Sequence, residues 1–210
     1  MMDAPSEALE KWIDRAPGGR ALDLGAGDGE TSAWLAERGY RVDAVEHDPD
    51  RFEKLRKQTR GLQVHLHPLH IMQFRPAEEA YALIVASAVL HFFAPTELRL
   101  LAERLGRSLI DGGILIAEAF TTDDPGYALL RQENVREVEP NTFEASPLVG
   151  VIHYFEPGEL KALFGDLEPL EYAEERRSDP TSPAGYRAGA LLVAQRVASA
   201  PSLEQASIEG

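Results

Sequence analysis

Residues 21–30 read Ala21-Leu22-Asp23-Leu24-Gly25-Ala26-Gly27-Asp28-Gly29-Glu30. A short apolar run, with one acid in it, passes into a turn that carries three alternate glycines. Glycine has no Cβ, so such a turn can adopt left-handed dihedrals and let a ligand approach the backbone closely. A helical pattern starts at Glu30, and the first N–H groups of that helix point back at the turn. Strand, glycine turn and helix in this order form a nucleotide-binding turn.

The flanking sequence builds a fold around it. Upstream, Ala8, Leu9, Trp12, Ile13 and Ala16 share one stripe, predicting a helix over 6–16 with Ser6 as N-cap and Pro17-Gly18-Gly19 as its stop. Downstream, Gly39 ends the helix begun at Glu30, and Arg41–Glu46 is the second strand. Asp48-Pro49 opens the next helix, Asp as N-cap and Pro at the first position, ending near Gly61. Strands follow at 62–66 and 81–86, the second almost continuously apolar, as in a parallel sheet buried on both faces. Leu98, Leu101, Ala102, Leu105 and Leu109 mark a helix over 95–109, and Asp111-Gly112-Gly113 turns into a fifth strand, 114–119. Alternating strands and helices predict a doubly wound α/β sheet. After Phe120 the pattern changes. Residues 121–156 read as a polar lid or substrate excursion with one helix at about 127–134, and its acid-rich stretch 133–144 as a solvated face. A short helix at 157–164 and closing strands at 168–175 and 188–195 complete one domain, 1–196, with a flexible tail expected over 197–210.

Composition narrows the function classes. Of 210 residues, 44% are hydrophobic and 27% charged, ordinary for a globular chain, but the formal net charge is −14. Nucleic-acid binding relies on Lys and Arg against phosphates, so a nucleic-acid partner is not expected. Cysteine is absent, which removes disulfides and thiolate metal sites. The first residues lack a basic region followed by an apolar one, and the longest apolar run, 80–93, is too short to span a bilayer. A cytoplasmic protein without membrane contact is the expectation, as monomer or homodimer.

The turn itself selects the nucleotide. A nicotinamide turn requires G-x-G-x-x-G, and counting from Gly25 the final position is Glu30. The pattern present is acid-x-G-x-G-x-G, Asp23 to Gly29, followed by Glu46 at the end of the next strand. This resembles the first two motifs of the class I S-adenosylmethionine (SAM)-dependent methyltransferases. Leu83–Phe93 resembles that family's fourth-strand motif, and Leu109-Ile-Asp-Gly-Gly113 its entry to strand five, with Asp111 in place of proline. Phe120-Thr-Thr-Asp-Asp-Pro-Gly126, Phe155-Glu-Pro-Gly-Glu-Leu160 and the closing strand 188–196 are similar to the tellurite-resistance type of small-molecule methyltransferase.

The resemblance implies the Rossmann-like sheet of seven strands, the last antiparallel, and SAM as cofactor with S-adenosylhomocysteine (SAH) as product. It implies Asp23 near the cationic amino group, Gly25, Ala26 and Gly27 against the methionine portion and Glu46 on the ribose, with His47 beside it. Ser87 and His91 fall where strand four opens toward the methionine end. The usual acid after strand three is missing, since 61–77 contains none, so His70 and Ile71 or backbone groups take the adenine edge. His153 and His91 are the candidate catalytic groups; Glu118 and Tyr127 are further candidates on the substrate side. His65 and His67 share a strand face, but no carboxylate accompanies them in sequence, and no metal is expected. The segment Ser87-Ala-Val-Leu90 lacks the D/N-P-P-Y/F amino-methylation signature, and cysteine-dependent methylations are excluded. The expected activity is methyl transfer to a small-molecule acceptor: a chalcogen oxyanion, thiol, amine, hydroxyl or carboxylate. The competing readings are a non-catalytic SAM- or SAH-binding protein and an NAD-dependent oxidoreductase. Specificity is expected in 121–154.

Overall fold

The computed structural model describes residues 7–145, 150–182 and 184–198. Its scaffold is a seven-stranded sheet. The strands of the first half are β1 (Arg20–Leu24), β2 (Arg41–Val45), β3 (Val64–His67), β4 (Tyr81–Ser87) and β5 (Leu109–Phe120). Two late strands, β9 (Glu168–Ser178) and β10 (Tyr186–Gln195), close it in the order β3-β2-β1-β4-β5-β10-β9. Strands β1 to β5 pair in parallel, and β10 runs antiparallel to both β5 and β9. The order reverses between β1 and β4, which opens a crevice at their carboxyl ends.

Side-chain alternation gives the sheet two apolar faces. On one, Leu9 and Ile13 of the amino-terminal segment and Leu35 of α2 (Glu30–Glu37) pack over Ala21, Val42, Leu83, Val85, Ile114 and Val193. On the other, Leu98, Leu101 and Leu105 of α4 (Pro95–Ser108) and Leu160 of α6 (Glu159–Leu163) cover Leu22, Ile84, Leu115, Ala117 and Leu192. Between β2 and β3, α3 (Pro49–Gln58) starts where expected: Asp48 Oδ1 accepts the Arg51 N–H at 2.9 Å. Among the described residues no helix is long and apolar enough to cross a membrane.

Several boundaries differ from the sequence expectation. The first helix, α1, is only Glu7–Trp12 before a 3-10 turn, Ile13–Arg15, and Ser6 lies outside the described residues, as does 199–210 of the expected tail. Strand β5 begins directly at the end of α4. The glycines read as a turn are inside it, and the ladder with β4 shifts register between Tyr81 and Leu83. Both closing strands reach further toward their connection than expected, to Ser178 and from Tyr186.

The largest difference lies in the excursion. Besides α5 (Pro125–Gln132) it forms a three-stranded antiparallel sheet of β6 (Glu137–Glu139), β7 (Thr142–Glu144) and β8 (Val151–His153). Three-residue strands between Pro140 and the acidic positions are too short for any period to register. The segment leaves and rejoins the core at one place: Thr121 bridges Phe155, and the Phe155 N–H donates to the Phe120 carbonyl at 2.9 Å. Buried Asp124 caps α5 through the Gly126 N–H at 2.8 Å and accepts the Ala188 N–H of β10 at 2.9 Å.

Candidate functional site

The glycine turn lies at the crevice between β1 and β4. Gly25 and Ala26 N–H groups both donate to the Val45 carbonyl, at 2.9 and 3.0 Å, so the turn is stitched to the end of β2. Gly25 has φ +68°, and a Cβ there would meet Val89 Cγ2 at 2.6 Å. Glu46, at the end of β2, is buried and held by two backbone donors: Gly27 N–H at 3.0 Å and Asp48 N–H at 2.7 Å. Asp23 is buried in β1 and accepts the Ser32 hydroxyl at 2.6 Å. Burial pushes its carboxyl up to about 6; Ser32 opposes the rise and the nearby Glu46 adds to it. Two carboxylates thus border one turn, and no cation is paired with Asp23 among the described residues.

An aromatic row flanks this turn. His47 meets His70 edge-on at 5.3 Å between ring centroids, and His70 meets Phe93 at 5.6 Å. His70 Nδ1 accepts the Met72 N–H at 3.3 Å, capping the 3-10 turn Ile71–Gln73. Burial, then His47, lowers the His70 pKa. Ile71 is buried at the start of that turn. Ser87 ends β4 in register with Glu118. The next residue, Ala88, takes φ +51°, a strained value for a residue with a Cβ, and donates its N–H to the Glu118 carbonyl at 3.0 Å.

Ala88 also lines a cavity of about 190 Å³ that the sequence reading did not foresee. Its walls are His91, Glu118 and Phe120 on one side and Ala173, Glu175, Arg177, Arg187 and Gly189 on the other. Register explains the grouping. Glu118, Leu191 and Ala173 form one row across β5, β10 and β9, and Phe120, Gly189 and Glu175 the next. Gly189 leaves the middle of its row open. A glycine inside a strand pattern was the available signal for a close approach here.

The two candidate histidines are placed differently. His91 is buried, stacks on Phe120 at 4.2 Å and leaves Nδ1 without a hydrogen-bond partner. Burial, with Arg187 and His153 nearby, pushes its pKa down to about 3, so it is a neutral imidazole across the ordinary range. His153 does not line the cavity. Its Nδ1 pairs with Thr142 Oγ1 at 2.9 Å and its Nε2 with Glu159 at 3.0 Å, which ties the small sheet to α6 and leaves neither ring nitrogen free. Tyr127 is also committed, donating to Asn141 at 2.7 Å.

Away from the crevice, the structure corrects the view that no carboxylate accompanies His65 and His67. Asp43 stands beside both, at 3.3 and 2.8 Å, with the three donor atoms within 4.8 Å of one another. The other Asp43 oxygen accepts from Arg20 at 2.6 Å and from Tyr81 at 3.1 Å, so a cation at this cluster would face a guanidinium. A larger cavity, about 700 Å³, is a groove between α4 and α6 that includes none of the crevice residues.

Comparison with known proteins bears on the fold. Residues 21–113 match the family model for a methyltransferase domain. An uncharacterized methyltransferase of Bacillus subtilis, YodH, is 24% identical over 187 residues, covering 80% of this chain and 79% of that protein. A trans-aconitate 2-methyltransferase of Sinorhizobium fredii is 31% identical over 135 residues, 63% of this chain and 51% of the relative, so the chain spans about half of that protein's length. Two solved structures share the fold. A SAM-dependent methyltransferase from Methanosarcina mazei superposes with TM-score 0.76 at 18% identity, over 93% of this chain and all of that one. TehB from Haemophilus influenzae does so with TM-score 0.70 at 22% identity, over 93% and 63%. Over residues 21–113 the chain thus matches a methyltransferase domain, and it shares its fold with these solved structures.

Proposed function

We propose that the protein transfers a methyl group from SAM to a small-molecule acceptor seated in the cavity between β5 and β10. The observation that carries this reading is the meeting of two features at consecutive residues: Val89 lies against Gly25 of the acid-flanked turn, and Ala88 lines the 190 Å³ cavity. The cavity is below the range of about 300–1,000 Å³ usual for drug-sized ligands, so it suits a small acceptor. The trans-aconitate relative acts, by its name, on a small molecule too.

The residues present fit SAM. Glu46 is fixed by two backbone N–H groups and keeps lone pairs for ribose hydroxyls. Asp23 is a buried carboxylate without a cation, which the ligand's ammonium would supply. Gly25 leaves the space that a Cβ would fill. His47, His70 and Ile71 form the adenine edge in place of the missing acid, and Ala26, Gly27 and Ser87 border the methionine part. When bound, SAM supplies an electrophilic methyl on a sulfonium that departs as a neutral thioether. The chain's own contribution is alignment: the strained Ala88 backbone fixes the end of β4 against β5.

Incubation with methyl-labelled SAM and small acceptors, with peptide and tRNA as controls, tests the reading. Label is expected in a small acceptor only; label in peptide or tRNA, with none in any small molecule, overturns it.

A further inference from the structure

We propose that the cavity takes a protic acceptor without an anionic group, an amine or a hydroxyl compound, and that Glu118 receives its proton. The inference rests on the methyltransferase reading and names the acceptor's chemistry.

Unsatisfied polar atoms come first. Three buried side-chain atoms among the described residues lack a hydrogen-bond partner, and two of them belong to residues lining this one cavity: His91 Nδ1, and Glu118 Oε1, which has an ion-pair contact with Arg177 at 3.5 Å but accepts no hydrogen bond. Buried polar groups in native proteins are nearly always hydrogen-bonded, so two without a hydrogen bond on residues lining one cavity mark where a ligand's polar atoms go. An ionised carboxylate is acceptor-only, so the ligand must bring a hydrogen to Glu118. The neutral His91 imidazole adds one donor or acceptor and no charge.

Charge comes second. Two arginines line the cavity, which at first suggests a carboxylate ligand. Each is already occupied. Arg177 faces Glu118 at 3.5 Å and Glu175 at 3.9 Å, and Arg187 faces Asp124 at 3.3 Å and Asp179 at 3.4 Å. Of the residues lining the cavity, Glu118 and Glu175 offset Arg177 and Arg187, and both guanidinium groups are already paired, so burial of an anionic acceptor here would go uncompensated while that of a neutral one would not. The walls Ala88, Ala119, Ala173, Ala188, Gly189 and Ala190, with Phe120 and Leu191, suit an apolar body behind the protic group.

The proton follows from this placement. As a lone pair of the acceptor's oxygen or nitrogen forms the new bond to the methyl carbon, the pair of the broken carbon–sulfur bond stays on sulfur. The acceptor's hydrogen leaves as a proton to Glu118 Oε1, which returns it to water once product departs.

The test is binding of three probes of similar size, phenol, aniline and benzoate, to the SAH-loaded protein, followed by NMR titration. Phenol and aniline are expected to bind about tenfold more tightly than benzoate. Glu118→Gln is expected to weaken phenol and aniline about fivefold while SAH affinity, read by calorimetry, stays the same. Ala173→Leu, at a half-exposed edge position, is expected to remove probe binding by filling the cavity, again without loss of SAH. Tighter binding of benzoate, lost in Arg177→Gln or Arg187→Gln, overturns the proposal, as does failure of both protic probes to bind. Failure of SAH itself to bind instead removes the methyltransferase reading beneath it.

Discussion

Asp23 carries the clearest consequence at the scale of single residues. Its carboxyl, pushed up to about 6 chiefly by burial, sits above its unfolded value near 4. The ligand-free fold therefore gains from a protonated Asp23 at low pH and loses that contribution as pH rises from about 4 through 6, an effect of about 3 kcal/mol. A ligand ammonium favours the ionised form. SAH affinity is expected to be flat above pH 6 and to fall about tenfold per unit below it. Asp23→Asn should abolish that dependence, weaken SAH and raise the thermal midpoint of the ligand-free protein at pH 8. Calorimetry and thermal melts across pH 5–8 check all three, and an unchanged pH profile in the variant would assign the dependence elsewhere. Gly25→Ala faces both a positive φ and the Val89 methyl, so a loss of about 1–3 kcal/mol is expected by chemical denaturation. Val89→Ala in the same background should restore part of it; no recovery would assign the whole cost to the backbone. These residues were legible in the sequence because they act locally: Asp23, the glycines and Glu46 fall on one strand–turn–helix–strand unit. Asp43 beside His65 and His67 was not legible, since only the pairing of β2 with β3 brings them together.

Among the elements, the excursion was read as polar and lid-like, and its small sheet went unseen because each strand has three residues. What fastens it is equally non-local. Asp124 joins α5 to β10 through Gly126, Ala188 and Arg187. Asp124→Ala leaves the buried Ala188 N–H unpaired and α5 uncapped, and a cost of about 3 kcal/mol is expected in chemical denaturation. Hydrogen exchange over 125–155 should quicken together with it. A change below about 0.5 kcal/mol would instead assign the anchoring to the aromatic cluster of Tyr127, Phe143 and Tyr154. His153, a candidate base from sequence position alone, belongs to this scaffold: its hydrogen bond, with that of the Glu156 N–H, holds the Glu159 carboxyl below its ordinary value against the effect of burial.

For the molecule as a whole, the doubly wound half was legible because parallel strands buried on both faces announce themselves as apolar runs. The cavity was not, because Glu118 and Arg177 are far apart in sequence and meet only when β10 inserts between β5 and β9. The proposed acceptor site accordingly places specificity at the sheet end rather than in 121–154, since β5, β9 and β10 supply most of that cavity's wall. All of this depends on SAM occupying the Asp23–Glu46 turn, and titration calorimetry with SAH, set against NADH, tests it most directly. The account predicts one SAH bound per chain in the micromolar range, at least tenfold weaker in Glu46→Gln, and no heat from NADH. Saturable NADH binding with none for SAH would contradict it.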